Sequence, residues 1–252
     1  MPPTLLLLHG FTHTGASWEG VLAELGQRYR PLAPDIRGHG AAGAVRPVTL
    51  APVLEDVAAA TDGPFALGGY SMGGRLALHV ALALGGRVRR LVLIGASPGL
   101  ADPEERTARR AADERLAGEL EGLTIEAAAR RWARTAVLAD QPPDVRAAVH
   151  ADRLRSTPAG LAAALRGLGT GALPSLWGRL GELTLPVALI VGERDEKFLE
   201  VAERMAQRLP DARLAVVPGC GHAVHLEAPE AVARIIDTSP AARLRVPGRA
   251  AP

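Results

Sequence analysis

The chain has 252 residues, a formal net charge of +2 and 48% apolar residues. This length and composition favour one globular domain with a sizeable core and exclude a largely disordered chain. Acidic and basic residues are interspersed without a long basic run, so we expect no nucleic-acid partner. The single cysteine excludes an intrachain disulfide, and apolar runs stay well short of the roughly 18 residues of a membrane span. We therefore expect no membrane partner and a cytoplasmic location.

Short apolar runs and helical patterns alternate over the first hundred residues. The predicted strands are Thr4–Leu8, Arg30–Ala33, Phe65–Tyr70 and Arg90–Ile94. The predicted helices between them are Trp18–Leu25, Leu50–Thr61 and Met72–Leu84. This alternation predicts an α/β fold with a mostly parallel sheet flanked by helices on both faces.

The pattern changes after residue 100, where Asp102 to Leu180 contains no clear strand signal and predicts about four helices. An insertion at the carboxyl edge of the sheet lies where open α/β sheets bind ligands. Further strands are predicted at Pro186–Val191 and Arg213–Val217, and further helices at Lys197–Arg208 and Pro229–Ile236. The layout predicts a core formed by residues 1–100 and 181–237, a helical cap at 101–180 and a flexible tail at 238–252.

A candidate nucleophile lies in the segment Gly69-Tyr70-Ser71-Met72-Gly73, which matches G-x-S-x-G. The segment follows a predicted strand and opens a predicted helix, which is the setting of the nucleophile elbow in α/β-hydrolases. Glycines permit the sharp turn, and the helix N-terminus favours a developing negative charge. A Gly-rich turn that merely contains a serine is the ordinary alternative, and the flanking strand and helix favour the elbow.

The oxyanion hole of this fold combines two backbone N–H groups. One belongs to the residue after the nucleophile, here Met72, and one to the loop after the first strand. The sequence His9-Gly10-Phe11 follows that strand, so we predict the Phe11 N–H as the second donor. We expect the ring of His9 to brace the loop.

A serine hydroxyl needs a histidine to take its proton and a carboxylate to orient that histidine, in the chain order Ser, acid, His. Asp195 follows one predicted strand and His222 follows the next, at the edge of the sheet that also carries Ser71. We therefore predict Ser71, Asp195 and His222 as a catalytic triad. Glu193 and Glu196 flank the acid and are rival candidates.

Three other patterns carry weaker signals. His222 and His225 could form a metal pair, but no third ligand follows at suitable spacing, so we expect no metal and no cofactor. The segment from Gly38 to Gly43 matches G-x-G-x-x-G, yet it opens no predicted helix, so it is discounted as a dinucleotide site. Cys220 lies between two glycines beside the base and is expected to be a small packed residue.

Several motifs spread along the chain form a distinctive set. They are His9-Gly10-Phe11-Thr12 with Ser17-Trp18, the elbow extended through Gly74-Arg75, Gly95-Ala96-Ser97-Pro98-Gly99-Leu100 with Glu105-Arg106 and Arg109-Arg110-Ala111-Ala112-Asp113, Gly169-Thr170-Gly171 with Pro174-Ser175-Leu176-Trp177, and Gly192-Glu193-Arg194-Asp195-Glu196-Lys197-Phe198. From His9 to about Ile236 the chain resembles the 2-succinyl-6-hydroxy-2,4-cyclohexadiene-1-carboxylate synthase family of menaquinone biosynthesis. The resemblance departs at Leu173, where many relatives carry Gln, and in reduced or missing opening antiparallel strands.

The resemblance implies a lyase that removes a ring proton from a cyclohexene tricarboxylate and releases pyruvate. In this reading Ser71, activated by His222 and Asp195, is the base, and the N–H groups of Phe11 and Met72 stabilise the enolate. Whether Ser71 or His222 takes the carbon-bound proton directly stays open.

A tricarboxylate substrate requires several cations, preferably planar guanidinium groups. Arg75 lies one helical turn beyond the nucleophile and can reach the reacting centre. The resemblance implies that Arg75, Arg109 and Arg155 bind carboxylates and that Tyr70, Trp132 and Lys197 line the same site. Lys197 is the only lysine among 29 basic residues, so the chain is rich in arginine and each arginine carries little evidence of function by itself. An exposed helix face is therefore the ordinary alternative for each cap arginine.

The main alternative function is a carboxylesterase or another small-molecule hydrolase that uses the same triad. A hydrolase-fold binding protein is less favoured, because such proteins typically lose a member of the triad. The sequence fits either a monomer or a homo-oligomer.

Overall fold

The computed structural model describes residues 1–135, 138 and 141–238, and its centre is a six-stranded sheet. The strands are β1 (Thr4–Leu8), β2 (Arg30–Leu32), β3 (Phe65–Tyr70), β4 (Val88–Ile94), β5 (Val187–Gly192) and β6 (Ala212–Val217). They are ordered β2-β1-β3-β4-β5-β6, and every neighbouring pair is parallel. The predicted parallel sheet is therefore confirmed, and β1 is its first strand along the chain.

Helices connect the strands and cover both faces of the sheet. They are α1 (Glu19–Leu25), α2 (Leu50–Ala59), α3 (Met72–Leu84), α8 (Glu196–Ala206), α9 (Val224–Glu227) and α10 (Pro229–Asp237). Alternate residues of β1 point to opposite faces: Leu6 and Leu8 join the core under α2, α3 and α8, while Leu5 and Leu7 join the core under α1 and α10. Burial on both faces explains why β1 and β5 are nearly continuous apolar runs.

Among the described residues, four α-helices stand between β4 and β5, which agrees with the number that the sequence predicts. They are α4 (Pro103–Glu121), α5 (Ile125–Trp132), α6 (Pro143–Arg153) and α7 (Pro158–Leu168). Proline starts three of them, because the first helical position needs no N–H donor. The side chains of Asp102, Thr124 and Thr157 accept backbone N–H bonds at the N-termini of α4, α5 and α7.

The order of the strands determines where loops converge. The chain runs from β1 to the edge strand β2 and then crosses to β3 on the other side, so the connections leave the carboxyl ends of β1 and β3 in opposite directions. A crevice at such a switch point is where open α/β sheets bind ligands. The loop with Phe11 and the turn with Ser71 lie on its two sides. No helix within the described ranges is both long and apolar enough to cross a membrane.

The structure bears on the discounted G-x-G-x-x-G motif but not on the predicted tail. The segment from Gly38 to Gly43 contains only a short 3₁₀ turn at Gly40–Ala42 and opens no α-helix, which argues against a dinucleotide site there. The tail predicted at 238–252 lies outside the described residues from 239 onward.

Candidate active site

Ser71 occupies a strained turn between β3 and α3. Its backbone φ is 51°, in the left-handed region that a serine adopts only when its surroundings enforce it. The Ser71 N–H donates to the Ile94 carbonyl at 2.8 Å, and its carbonyl accepts from the Arg75 N–H at 3.0 Å. A Cβ atom at Gly73 would lie 2.2 Å from the Leu8 carbonyl oxygen, so only glycine lets α3 approach β1 this closely. This arrangement is the predicted nucleophile elbow.

Ser71, His222 and Asp195 meet in a hydrogen-bonded chain. The Ser71 hydroxyl lies 3.1 Å from Nε2 of His222, and Nδ1 of His222 lies 2.6 Å from Oδ2 of Asp195. A carboxylate only accepts, so Nδ1–H donates to Asp195 and Nε2 is left free to accept the proton of Ser71. Asp195 and His222 are both buried, which strengthens their charge-assisted bond. The geometry fits nucleophile or base activation by the serine.

Glu193 has another bonding partner, and Glu196 is exposed. Glu193 accepts the Gly219 N–H at 2.9 Å, and Glu196 is exposed in the first turn of α8. Glu227, which the sequence analysis did not single out, accepts the Gly221 N–H at 2.8 Å and the Ala223 N–H at 3.3 Å. Glu193 and Glu227 thus hold the loop of His222 in place, and Asp195 is the carboxylate that contacts its ring.

The loop after β1 is braced from below by His9. The Ile36 N–H donates to Nε2 of His9 at 2.9 Å, and Nδ1 lies 2.8 Å from the Gly10 carbonyl oxygen, so the proton of the neutral ring is on Nδ1. Burial lowers the pKa of His9 to about 4. The bracing role predicted for this ring is confirmed. Phe11 follows Gly10 in this loop. Met72, the other residue predicted to donate to the oxyanion, is the first residue of α3.

Aromatic rings surround the candidate base. Tyr70 stacks at a tilt against His222 with ring centroids 5.3 Å apart, and Phe198 packs on the same imidazole at 4.4 Å. Trp132, at the end of α5, meets the ring of Phe11 edge-on at 4.7 Å. Burial raises the pKa of Tyr70, so its hydroxyl stays protonated. Tyr70 thus contacts His222 and Trp132 contacts Phe11, and their predicted role in lining the substrate site stays a prediction.

Arg75 is buried in the elbow helix, with 7% of its surface exposed. Its Nη1 donates to the Thr170 hydroxyl at 2.6 Å, and its Nε has no hydrogen-bond partner among the described residues. Burial and the nearby Arg109 lower the pKa of Arg75 to about 10, so it remains a cation at pH 7. A buried guanidinium without a paired carboxylate is costly unless a ligand supplies the anion.

Arg109 lies nearby on α4 and is half-exposed. Its Nε donates to Oδ1 of Asp113 at 2.7 Å, one turn along the helix. Asp113 is buried, and its other oxygen accepts the Gly171 N–H at 3.5 Å, beside the residue that bonds Arg75. Two arginines and one carboxylate thus form a group with net positive charge, which suits an anionic ligand.

The arginine near the end of α6 that is buried is Arg153, not Arg155. The side chain of Arg155 is 62% exposed, lies 4.0 Å from Asp152, and lines an outer surface hollow with Thr14. Arg153 is 2% exposed and donates through Nε to the Thr12 hydroxyl at 3.2 Å, while its Nη2 has no partner in the described part of the chain.

A sequence signal for Arg153 exists in the periodicity of α6. The buried positions of the helix are Val145, Val149, Asp152 and Arg153, which follow the i, i+4, i+7, i+8 spacing of one helical face. Extending the stripe of the two valines would have placed 152 and 153 inward. Burial lowers the pKa of Arg153 to about 10, so the guanidinium remains a cation at pH 7.

Three further residues complete the surroundings. Lys197 is exposed at the start of α8, with its Nζ 5.9 Å from the ring of Phe198. His225 is buried between Tyr70 at 4.2 Å and Trp18 at 4.7 Å, as part of the core. Within the described ranges no group of three or more His, Cys, Asp or Glu side chains is arranged to hold a metal ion.

Comparison with known proteins identifies the relatives of this fold. The sequence pattern of the Alpha/beta hydrolase family matches residues 5–235. The chain belongs to the α/β-hydrolase family. Within this family, a Bacillus subtilis (strain 168) protein provisionally named 2-succinyl-6-hydroxy-2,4-cyclohexadiene-1-carboxylate synthase is 36% identical over 242 residues, which cover 92% of this chain and 88% of the relative. The resemblance to this synthase family is thereby confirmed.

Two other α/β-hydrolases are similar over most of their length. A pimeloyl-acyl-carrier-protein methyl ester esterase of Nitrosomonas europaea is 32% identical over 247 residues, covering 90% of this chain and 92% of the esterase. The solved structure of MenH from S. aureus superimposes with a TM-score of 0.88 at 28% identity, covering 93% of this chain and 91% of that chain. The predicted α/β-hydrolase fold is thus confirmed by sequence and by structure.

Proposed function

We propose that this α/β-hydrolase is a 2-succinyl-6-hydroxy-2,4-cyclohexadiene-1-carboxylate synthase of menaquinone biosynthesis. It eliminates pyruvate from 2-succinyl-5-enolpyruvyl-6-hydroxy-3-cyclohexene-1-carboxylate. The observation that carries this proposal is Arg75, a buried guanidinium one turn from the serine of a complete triad. A simple ester has no anion to pair with this cation, whereas the proposed substrate has three carboxylates.

In the proposed mechanism the triad acts as a base. His222, oriented by Asp195, takes the proton of Ser71, and the serine oxygen removes the ring proton at the carbon that bears the succinyl group. The electron pair moves onto the succinyl ketone as an enolate. Its collapse forms the ring diene and breaks the bond to the enolpyruvyl oxygen. The departing enolate of pyruvate takes up the proton held by His222 and becomes the ketone, while the ring proton restores the Ser71 hydroxyl.

Two sets of groups support the charges that develop. In the proposal the N–H groups of Phe11 and Met72 stabilise the enolate oxygen. The start of α3 at Met72, directly after Ser71, and the position of Phe11 in the loop after β1 support this role. Arg75, Arg109 and Arg153 are the cations for the substrate carboxylates, and Arg75 and Arg153 are already desolvated by the protein. Desolvated cations bind carboxylates more strongly than exposed ones.

The helices between β4 and β5 are the cap of this site in the proposal. Phe11 and Trp132 join the cap to the β1 loop, and Arg109 and Arg153 are contributed by α4 and α6. Lys197 and Arg155 are exposed residues at the rim, where they would guide an anionic substrate inward. In the proposal, residues 1–100 and 181–237 form the core of the enzyme. The enzyme is proposed to act in the cytoplasm.

The experiment is a direct comparison of two activities in the purified protein. Pyruvate release from the tricarboxylate is followed by a coupled dehydrogenase, and hydrolysis of a panel of p-nitrophenyl esters is followed by absorbance. We expect efficient pyruvate release and weak ester turnover, with Ser71→Ala abolishing both. Strong ester turnover without pyruvate release would reject the proposal.

Ester hydrolysis is the second candidate function, because the Nitrosomonas europaea relative is named as a methyl ester esterase. In that reaction Ser71 attacks the ester carbonyl instead of removing a proton, and the same N–H groups hold the tetrahedral oxyanion. The two functions differ in their need for Arg75, since a neutral ester has no carboxylate to bind.

A further inference from the structure

A buried carboxylate joins the helical cap to the loop that follows β1. Asp152, near the end of α6, is 8% exposed. Its Oδ2 accepts the Thr14 N–H at 3.0 Å and contacts Nδ1 of His13 at 3.1 Å, and its Oδ1 accepts the Thr14 hydroxyl. All three bonds cross from the cap to a single loop, at a separation of about 140 residues in sequence.

Burial and hydrogen bonding together determine the charge states of His13 and Asp152. Burial lowers the pKa of His13, so its ring is neutral at pH 7. Burial alone would raise the pKa of Asp152, but the hydrogen bonds from His13 and Thr14 outweigh it and lower that pKa to about 2. An ionised carboxylate only accepts, so His13 donates from Nδ1. The bonds are therefore charge-assisted and stronger than neutral ones.

The loop that Asp152 holds is strained at the residue that follows Phe11. Thr12 has a φ of 69°, a left-handed conformation that a β-branched residue adopts only when neighbouring groups enforce it. Its hydroxyl accepts a bond from Arg153, the residue directly after Asp152. Phe11, whose N–H is the proposed oxyanion donor, precedes Thr12. Two consecutive cap residues thus hold the three loop residues that follow the donor.

We propose that Asp152 is a positioning residue of this enzyme, which acts through His13 and Thr14 to direct the Phe11 N–H at the oxyanion. The proposal rests on the proposed function only in requiring an oxyanion beside Ser71. It makes the cap a part of the catalytic apparatus, because the loop reaches its working conformation when α6 is docked. A latch that merely stabilises the fold would affect thermal stability and leave the rate of the chemical step unchanged.

The test compares Asp152→Asn with Asp144→Asn, which removes an exposed carboxylate from the first turn of the same helix. The amide is isosteric, but its NH₂ group is a donor where the second carboxylate oxygen accepts. Three quantities are measured for each folded variant: kcat and KM for pyruvate release, and the affinity for phenylboronic acid. A boronate that adds to Ser71 places an oxygen in the oxyanion site, so its affinity reports the alignment of the donors without using the substrate.

We expect Asp152→Asn to lower kcat by on the order of 10- to 100-fold and boronate affinity by a similar factor, since a displacement of about 1 Å in a donor has effects of that size. KM should change much less, and Asp144→Asn should match the wild type in all three. A folded Asp152→Asn variant with kcat and boronate affinity within about twofold of wild type would overturn the proposal.

A second pair of variants covers the case in which Asp152→Asn does not fold. The amide nitrogen of His13→Asn can take the place of Nδ1 and donate to Asp152, whereas His13→Ala cannot. We expect the asparagine to retain most of the wild-type kcat and boronate affinity, and the alanine to lose at least about tenfold in each. Equal losses, or no loss in either, would overturn the proposal. Boronate binding also separates it from the proposed function, because failure of pyruvate release in the wild type leaves that readout intact.

Discussion

Replacing Arg75 with methionine should raise the stability of the protein while it lowers activity. The guanidinium is buried and bonds only the Thr170 hydroxyl among the described residues. Asp113, a carboxylate that acts on it electrostatically, is hydrogen-bonded to Arg109. Methionine is unbranched and flexible, so it can fill most of the same space without a charge. The substitution removes the anion-binding group but leaves the triad intact.

The size of the stability effect follows from the pKa. Burial lowers the pKa of Arg75 from 12.5 to about 10, and at about 1.36 kcal/mol per unit the charged form is disfavoured in the folded state by about 3 kcal/mol. Loss of the bond to Thr170 removes about 1–2 kcal/mol in the other direction. The free energy of unfolding should therefore rise by about 1–2 kcal/mol, as for other buried charges replaced by apolar groups.

The effect on activity has the opposite sign. A desolvated guanidinium that binds a substrate carboxylate contributes about 2–4 kcal/mol, which corresponds to a loss of about 30- to 1000-fold in kcat/KM for pyruvate release. Hydrolysis of a neutral p-nitrophenyl ester should be nearly unchanged. Arg115→Met, which removes an exposed guanidinium from α4, is the matched control.

The assay combines urea unfolding, followed by circular dichroism, with kinetics on both substrates. If Arg75→Met is less stable than the wild type, the guanidinium is not the unpaired buried charge that its surroundings indicate. If the variant is stabilised but keeps full kcat/KM for the tricarboxylate, Arg75 does not bind substrate, and the proposed function loses its main support.

Three further changes have defined outcomes. Thr170→Val removes the hydroxyl that orients Arg75, so KM for the tricarboxylate should rise by about 3- to 10-fold with little change in kcat; an unchanged KM in steady-state kinetics would contradict this. Arg153→Met should lower kcat/KM by at least about tenfold, whereas Arg155→Met should stay within about threefold, and the reverse order would return the role to the exposed residue. His225 has a folded pKa well below its ordinary value of 6.5, so the unfolded chain binds more protons and stability is lost as pH falls below 6.5. In urea titrations between pH 6 and 5, His225→Leu should reduce the slope of unfolding free energy by about 1.4 kcal/mol per pH unit, and equal slopes would refute a neutral buried ring.

Local sequence patterns determined the order of the elements and two members of the triad. Continuous apolar runs such as Thr4–Leu8 are strands buried on both faces, and α3 begins and ends where Met72 and Leu84 predict. Ser71 and His222 could be predicted before any coordinates, because each follows a strand and parallel strands place their carboxyl ends at one edge. Chain order left Glu193 and Glu196 as rivals of Asp195, and the structure shows that Asp195 contacts the His222 ring.

Tertiary structure decided which charged residues are desolvated. In a chain so rich in arginine, the residue type carries little information, and Arg153 and Arg155 are separated by a burial difference that arises only when α6 packs on the β1 loop. The bonds from Asp152 to His13 and Thr14 likewise join segments about 140 residues apart. Hydrophobic periodicity and the order of the elements can be seen within each segment of the sequence. Burial and ion pairing instead depend on which side chains of a distant segment pack against it.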